Sequence, residues 1–116
     1  MNWLEETRWE LRKDLLAAAQ AAKEAGELNF EELPDFVIER PRERAHGDFA
    51  ANLAMLLARQ AKMPPRKIAE AILAHLYKDE PAVWVEGVEI AGAGFINFRM
   101  KDNWLTDGLA DAAARG

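Results

Sequence analysis

The sequence predicts an α+β domain, a small and mostly antiparallel β-sheet with helices packed on one face. Three observations point there. Apolar residues recur at helical spacing through residues 2–25, through 49–62 and again from Pro65 onward. After Pro81 the period changes from helical to alternating. The link Ala91-Gly92-Ala93-Gly94 then joins two alternating runs with the small residues a hairpin needs. With 116 residues, 50% of them hydrophobic and 30% charged, one core is expected, and residues 1–116 read as a single domain.

In the first helix Leu4, Leu11, Leu15, Ala18 and Ala22 form the apolar stripe, and Gly26 is a natural stop. Phe36-Val37-Ile38-Glu39-Arg40 reads as a short strand closed by Pro41, which has no N–H for a ladder. A polar loop, 42–47, follows. Asp48 is expected to cap a second, central helix from Phe49 to Lys62, on which Phe49, Leu53, Met55, Leu56 and Leu57 leave little polar surface. Pro64-Pro65 ends that helix and starts a third, with Ile68, Ala69, Ile72, Leu73 and Leu76 on one side. Val83 to Ile90 reads as one strand with a bulge at Gly87, where the in-phase apolar positions shift. Phe95 to Met100 is its partner, and Asp102 opens a last helix carrying Trp104, Leu105, Leu109, Ala112 and Ala113.

Composition removes several function classes. There are no cysteines, so a disulfide framework, a thiolate zinc site and a cysteine nucleophile are excluded together, and a reducing cytoplasm fits. Two histidines leave few metal ligands, and neither a metal nor another cofactor is expected. No apolar run is long enough to span a bilayer and the N-terminus lacks a basic signal-peptide start, so no membrane association is expected. The formal charge of −5 argues against a general nucleic-acid binder. That average hides an asymmetry: residues 1–38 carry −5, residues 39–67 carry +4 and residues 68–116 carry −4. The basic middle, with Arg40, Arg42, Arg44, Arg59, Lys62, Arg66 and Lys67, is either a solvated surface or a patch that guides one anionic partner.

In Phe95–Met100 the side chains alternate. Ile96, Phe98 and Met100 belong to the core; Phe95, Asn97 and Arg99 then face outward. A ring, an amide and a guanidinium in one row can stack on a nucleobase, pair with its edge and hold a phosphate, and the glycines before them allow close approach. The same three residues also suit an ordinary sheet edge, with Phe95 covering it and two polar residues in water.

Two segments together resemble the N-terminal additional domain of arginyl-tRNA synthetases: Arg44-Ala45-His46-Gly47-Asp48-Phe49-Ala50-Ala51-Asn52-Leu53-Ala54 and Val88-Glu89-Ile90-Ala91-Gly92-Ala93-Gly94-Phe95-Ile96-Asn97-Phe98. Pro64-Pro65-Arg66-Lys67-Ile68-Ala69-Glu70 between them looks like that family's prolyl-started helix, and Trp104-Leu105 stands where the family begins its connecting helix. The likeness spans nearly the whole chain. One departure is Ala93, where a proline is usual between the two glycines; it bears on the stiffness of the turn and not on the fold.

The resemblance implies a domain that contacts the corner of tRNA(Arg) at the D-loop and is attached to a class I, ATP-dependent catalytic body absent from this chain. Phe95 would stack on a D-loop base and Asn97 would hydrogen-bond it, with Gly92 and Ala93 lining the approach by backbone. Arg99, Arg44 and His46 complete the expected RNA-binding set. No catalytic residue is expected. His46 with Asp48 and the nearby arginines does not make an acid–base site, because Asp48 is expected to cap a helix, Gly47 to turn, and His46 to serve the structure or the RNA backbone. Lys62-Met63 is an interhelical turn, and the chain lacks the His-x-Gly-His signature for ATP. The alternative is a free-standing interaction or homodimerisation module with no RNA role, in which the sheet face and the tryptophan-bearing helices make the contact; Trp3, Trp9, Trp84 and Trp104 are many for 116 residues, and exposed tryptophans would favour it.

Overall fold

A computed structural model describes residues 3–79, 82–102 and 104, with the backbone only at Trp3 and Arg44. Its elements are α1 (Trp3–Glu24), β1 (Ile38–Glu39), a 3-10 turn (Arg44–His46), β2 (Phe49–Ala51), α2 (Leu53–Ala61), α3 (Pro65–His75), β3 (Val85–Ala91) and β4 (Phe95–Met100). The strands form one antiparallel sheet in the order β1-β2-β4-β3, so the fold is the α+β arrangement the sequence predicts.

Strand β4 is central because both its neighbours register on it: Phe49 lies opposite Phe98, Ala51 opposite Ile96, and Val88 and Ile90 opposite Phe98 and Ile96 on the other side. Phe49, Ala51, Ile96 and Phe98 share one face and are fully buried. Leu53 and Leu57 of α2 and Ile68, Ala69 and Ile72 of α3 belong to the same core, and Leu11, Leu15, Ala18 and Ala22 of α1 extend it. Truncating an aromatic ring in such a core costs about 3–5 kcal/mol, which makes the Phe49–Phe98 pair a large single contribution to the fold. Trp104 closes the core at β2, its ring edge-on to Phe49 at 5.5 Å between centroids. The rest of the expected last helix, with Leu105, Leu109, Ala112 and Ala113, lies outside the described residues.

The expected helix from Phe49 is corrected. Phe49-Ala50-Ala51 is a strand, and the helix begins only at Leu53. Asp48 therefore caps nothing: its N–H donates to the Phe98 carbonyl at 2.7 Å and its Oδ2 accepts the Met100 N–H at 2.7 Å, binding the start of β2 to β4. A short apolar run has no periodicity that separates a buried strand from a buried helix, and here the open edge of β4 decides it. Gly47 makes the approach possible: its φ is +88°, and a Cβ there would sit 2.7 Å from the Phe98 carbonyl oxygen.

Strand β1 pairs over two residues instead of the expected five. On its N-terminal side one backbone bond, from the Asn52 N–H to the Val37 carbonyl at 3.4 Å, is joined by side chains: Asn52 Oδ1 accepts the Val37 N–H at 3.0 Å and Arg12 Nη1 donates to the Phe36 carbonyl at 2.7 Å. In β3 the register slips between Val85 and Gly87, which places the bulge where the apolar phase shifts. Helix α3 starts with Pro65 at its first turn, as expected.

Helix α1 is tied to the end of α3 by Tyr77, whose hydroxyl donates to Asp14 Oδ2 at 2.8 Å. Tyr77 has φ +58°, a left-handed conformation that costs a side-chain-bearing residue about 1–2 kcal/mol, and the partly buried hydrogen bond helps to hold it there. Burial raises the Asp14 carboxyl above its ordinary range. Burial, then the Asp14 hydrogen bond and charge, push the Tyr77 hydroxyl well above its ordinary 10.0. The folded chain therefore keeps a proton that the unfolded chain releases near pH 10, so this contribution to stability is full below about pH 10 and is lost as pH rises above it. Tyr77 is the only tyrosine, which makes phenolate absorbance a clean report. We expect that absorbance to appear together with unfolding in an alkaline titration, and Tyr77→Phe to flatten the loss of stability above pH 10.

Candidate nucleic-acid interface

The face of the sheet away from the helices is built by the other phase of each strand. From the register, one row across it runs Glu39, Ala50, Asn97, Glu89, and the next places Phe95 beside Ala91. Phe95 keeps 39% of its surface in water, Arg99 is exposed, and Ile96, Phe98 and Met100 are buried beneath the helices, as the alternation predicts. Asn97 departs from the open position expected of it. It is only 4% exposed, although its phase is the outer one.

The cover is the 3-10 turn. Asn97 Nδ2 donates to the His46 carbonyl at 2.9 Å, and Arg99 Nη2 donates to the Ala45 carbonyl at 3.2 Å. Gly47 and Asp48, pressed on the β4 backbone, bring the turn to these two side chains. Among the described residues, Asn97 Oδ1 is buried without a partner. A buried acceptor left in that condition costs about 1–3 kcal/mol, and an N–H brought to it recovers much of that. Sequence reasoning found Asn97 and His46 as separate candidates; the structure joins them, through the His46 backbone, while the His46 side chain stays exposed.

The hairpin tip is held by α3. Arg66 Nη1 donates to the Gly92 carbonyl at 2.7 Å, and Gly94, at φ +139°, lies so close to Pro65 that a Cβ would come within 2.7 Å of the proline's own. Gly92 and Ala93 are exposed at this tip next to Phe95. Of the basic middle, Arg66 stands at the tip. Arg40 does not join it: its guanidinium lies over the Phe49 and Trp104 rings, 5.2 and 5.6 Å from their centroids. Arg42 is exposed in the loop before the turn, and the side chain of Arg44 lies outside the described residues. Among the described residues no group of three or more His, Cys, Asp or Glu could hold a metal ion, and no helix is long and apolar enough to cross a membrane.

Residues 10–100 of the chain match the family model described as the arginyl tRNA synthetase N terminal domain. The chain belongs to that family. Among curated relatives it is 54% identical to an arginine–tRNA ligase of Moorella thermoacetica over 105 residues, 90% of this chain and 18% of that protein. It is 45% identical to one of Oceanobacillus iheyensis over 116 residues, 100% of this chain and 20% of that protein. With one of Caldanaerobacter subterraneus subsp. tengcongensis it shares 43% over 115 residues, 99% and 20% of the two lengths. The chain thus spans about a fifth of the length of these ligases.

The side chain of Trp3 lies outside the described residues, and the other tryptophans of this N-terminal domain divide. Trp104 is buried and Trp84 half-buried, whereas Trp9 is 53% exposed beside Val37 at 51%, over a shallow groove that Arg8, Arg12 and Phe36 also line. Sequence spacing did not single out Ala45, whose carbonyl orders Arg99, or the carboxylate of Asp48 as a β4 ligand. Backbone acceptors carry no residue-type signal, and Asp48 fits a cap as well as a clamp. The amide orientation is testable. Asn97→Asp places an acceptor against the His46 carbonyl, so stability in urea should fall by about 1–3 kcal/mol at neutral pH and recover once acid protonates the new carboxyl.

Proposed function

We propose that this domain contacts the D-loop corner of tRNA(Arg) and positions it for aminoacylation by a class I, ATP-dependent catalytic body that this chain does not contain. The observation that carries the reading is the exposed Phe95 ring on the hairpin that α3 holds in place, with Asn97 following in the same phase of β4. Phe95 stacks on one base, Asn97 reads its edge, and Gly92 and Ala93 let the nucleotide approach the backbone. His46 holds the Asn97 amide through its carbonyl, so Oδ1 is the atom of Asn97 left to meet the base. Arg99, Arg44 and Arg66 supply charge to the surrounding phosphates.

The role is positional. One stacked base contributes about 1–3 kcal/mol and an amide contact a similar amount, which is weak binding for a free domain. Joined to a body that already holds the tRNA, the contact becomes intramolecular and its full value appears through effective concentration. A net charge of −5 suits such an arm, which selects an RNA without having to hold it alone. Translation in the cytoplasm is the setting this implies. The groove at Trp9 and Val37 favours a second, compatible role: an apolar contact with the catalytic body or another protein.

In a full-length ligase carrying this domain, Phe95→Ala should lower kcat/KM for tRNA charging by about 1–3 kcal/mol for every base at the contacted position, because stacking tolerates any ring. Asn97→Ala should instead reduce the preference among those bases by a similar amount. Charging efficiency unchanged by Phe95→Ala would remove this face from the tRNA contact.

A further inference from the structure

We propose that Glu89 is a second reader at this face and that, together with Asn97, it restricts the stacked base to one presenting an exocyclic amino group. The inference rests on the tRNA contact proposed for Phe95 and Asn97 and adds to it a residue and a chemical class.

Glu89 lies directly opposite Asn97 across the β3–β4 ladder, and Ala91 lies opposite Phe95. Residues directly opposite in an antiparallel pair have Cβ atoms about 4.5–5.5 Å apart on the same face, so a glutamate there reaches whatever stands over Asn97. Glu89 is exposed, and among the described residues it forms no ion pair. On the other flank of Asn97 the register places Ala50, which has no polar group to offer. The carboxylate is therefore the side-chain acceptor that an incoming base edge meets first.

Each neighbouring donor side chain already holds a backbone carbonyl. Asn97 Nδ2 holds the His46 carbonyl, Arg99 holds that of Ala45, and Arg66 that of Gly92. What the amide leaves over is Oδ1, an acceptor buried without a partner among the described residues and set apart from the Nδ2 donor that the turn occupies. Two acceptors, one exposed and charged, the other buried and unsatisfied, form a site for N–H groups. A carboxylate accepts from the exocyclic amino group of cytosine or adenine and repels the carbonyl oxygen that uracil or hypoxanthine carries at the same ring position. An amide such as Asn97 could pair with either kind of edge by rotating; the His46 hydrogen bond removes that freedom, and Glu89 adds the charge that makes the choice costly to reverse.

The test uses a full-length arginine–tRNA ligase carrying this domain and tRNA(Arg) transcripts that bear A, inosine, C or U at the contacted position. Each of the two pairs exchanges an amino group for a carbonyl at one ring atom. The wild type should prefer A over inosine and C over U by about ten-fold or more in kcat/KM. Glu89→Gln, which keeps the shape and adds a donor, should bring both ratios to within about two- to three-fold, chiefly by raising inosine and U, with an unchanged thermal midpoint. Phe95→Ala should lower all four transcripts alike. Ratios in Glu89→Gln equal to wild type, with Phe95→Ala still lowering all four, would overturn the role of Glu89 and leave the contact standing. No effect of Phe95→Ala would overturn both.

Discussion

The organisation of this domain depends on how Asp48 holds β4. Its N–H and its carboxylate bond the Phe98 carbonyl and the Met100 N–H, and so extend the hold on β4 past the first residue of β2. From that clamp two things follow in opposite directions. Downstream, Phe49 enters the sheet opposite Phe98 and fills the centre of the core. Upstream, Gly47 lies flat on the strand and the 3-10 turn is carried over the outer face, where Asn97 and Arg99 bond it. Core and candidate site are thus fixed by one aspartate.

Much of the fold could be read from the sequence because its signals were long or chemically singular. Twenty-two residues of α1 repeat the helical stripe over many turns, Pro65 can begin a helix but not continue one, and the phase shift at Gly87 has few explanations other than a bulge. What could not be read was short. Three residues, Phe49-Ala50-Ala51, carry no period, and an aspartate before them fits a cap as well as a strand clamp, since both uses bond a carboxylate to backbone N–H groups. The choice between them is made by the free edge of β4, which lies about fifty residues away and is invisible to a local pattern.

The candidate site divides in the same way. Alternation along β4 placed Phe95 outward and Phe98 inward correctly, because a strand embedded between two neighbours has no freedom to turn over. It could not show that Asn97, in the outward phase, is buried, since the cover comes from a turn whose bonds to it are made by carbonyl groups common to every residue. Nor does spacing reveal that Glu89 faces Asn97, a relation that exists only once the hairpin register is set. The basic middle shows the opposite failure: residues close in sequence are separated in space, with Arg40 stacked on Phe49 and Trp104 while Arg66 stands at the hairpin tip.

The clasp between α3 and the hairpin has a consequence for how rigidity is distributed. A turn of two glycines around Ala93 has little stiffness of its own, yet Arg66 fastens the Gly92 carbonyl and Gly94 lies flush against Pro65. The tip is immobilised from outside, by a helix whose first residue is a ring of fixed φ. Ordering that would otherwise be demanded of the tip at each encounter with a ligand is completed during folding, so the aromatic platform meets its partner already in place. An alanine is then tolerable where a stiffer residue would serve a free-standing loop, and the helix start becomes the more sensitive place to alter recognition without touching the surface that performs it.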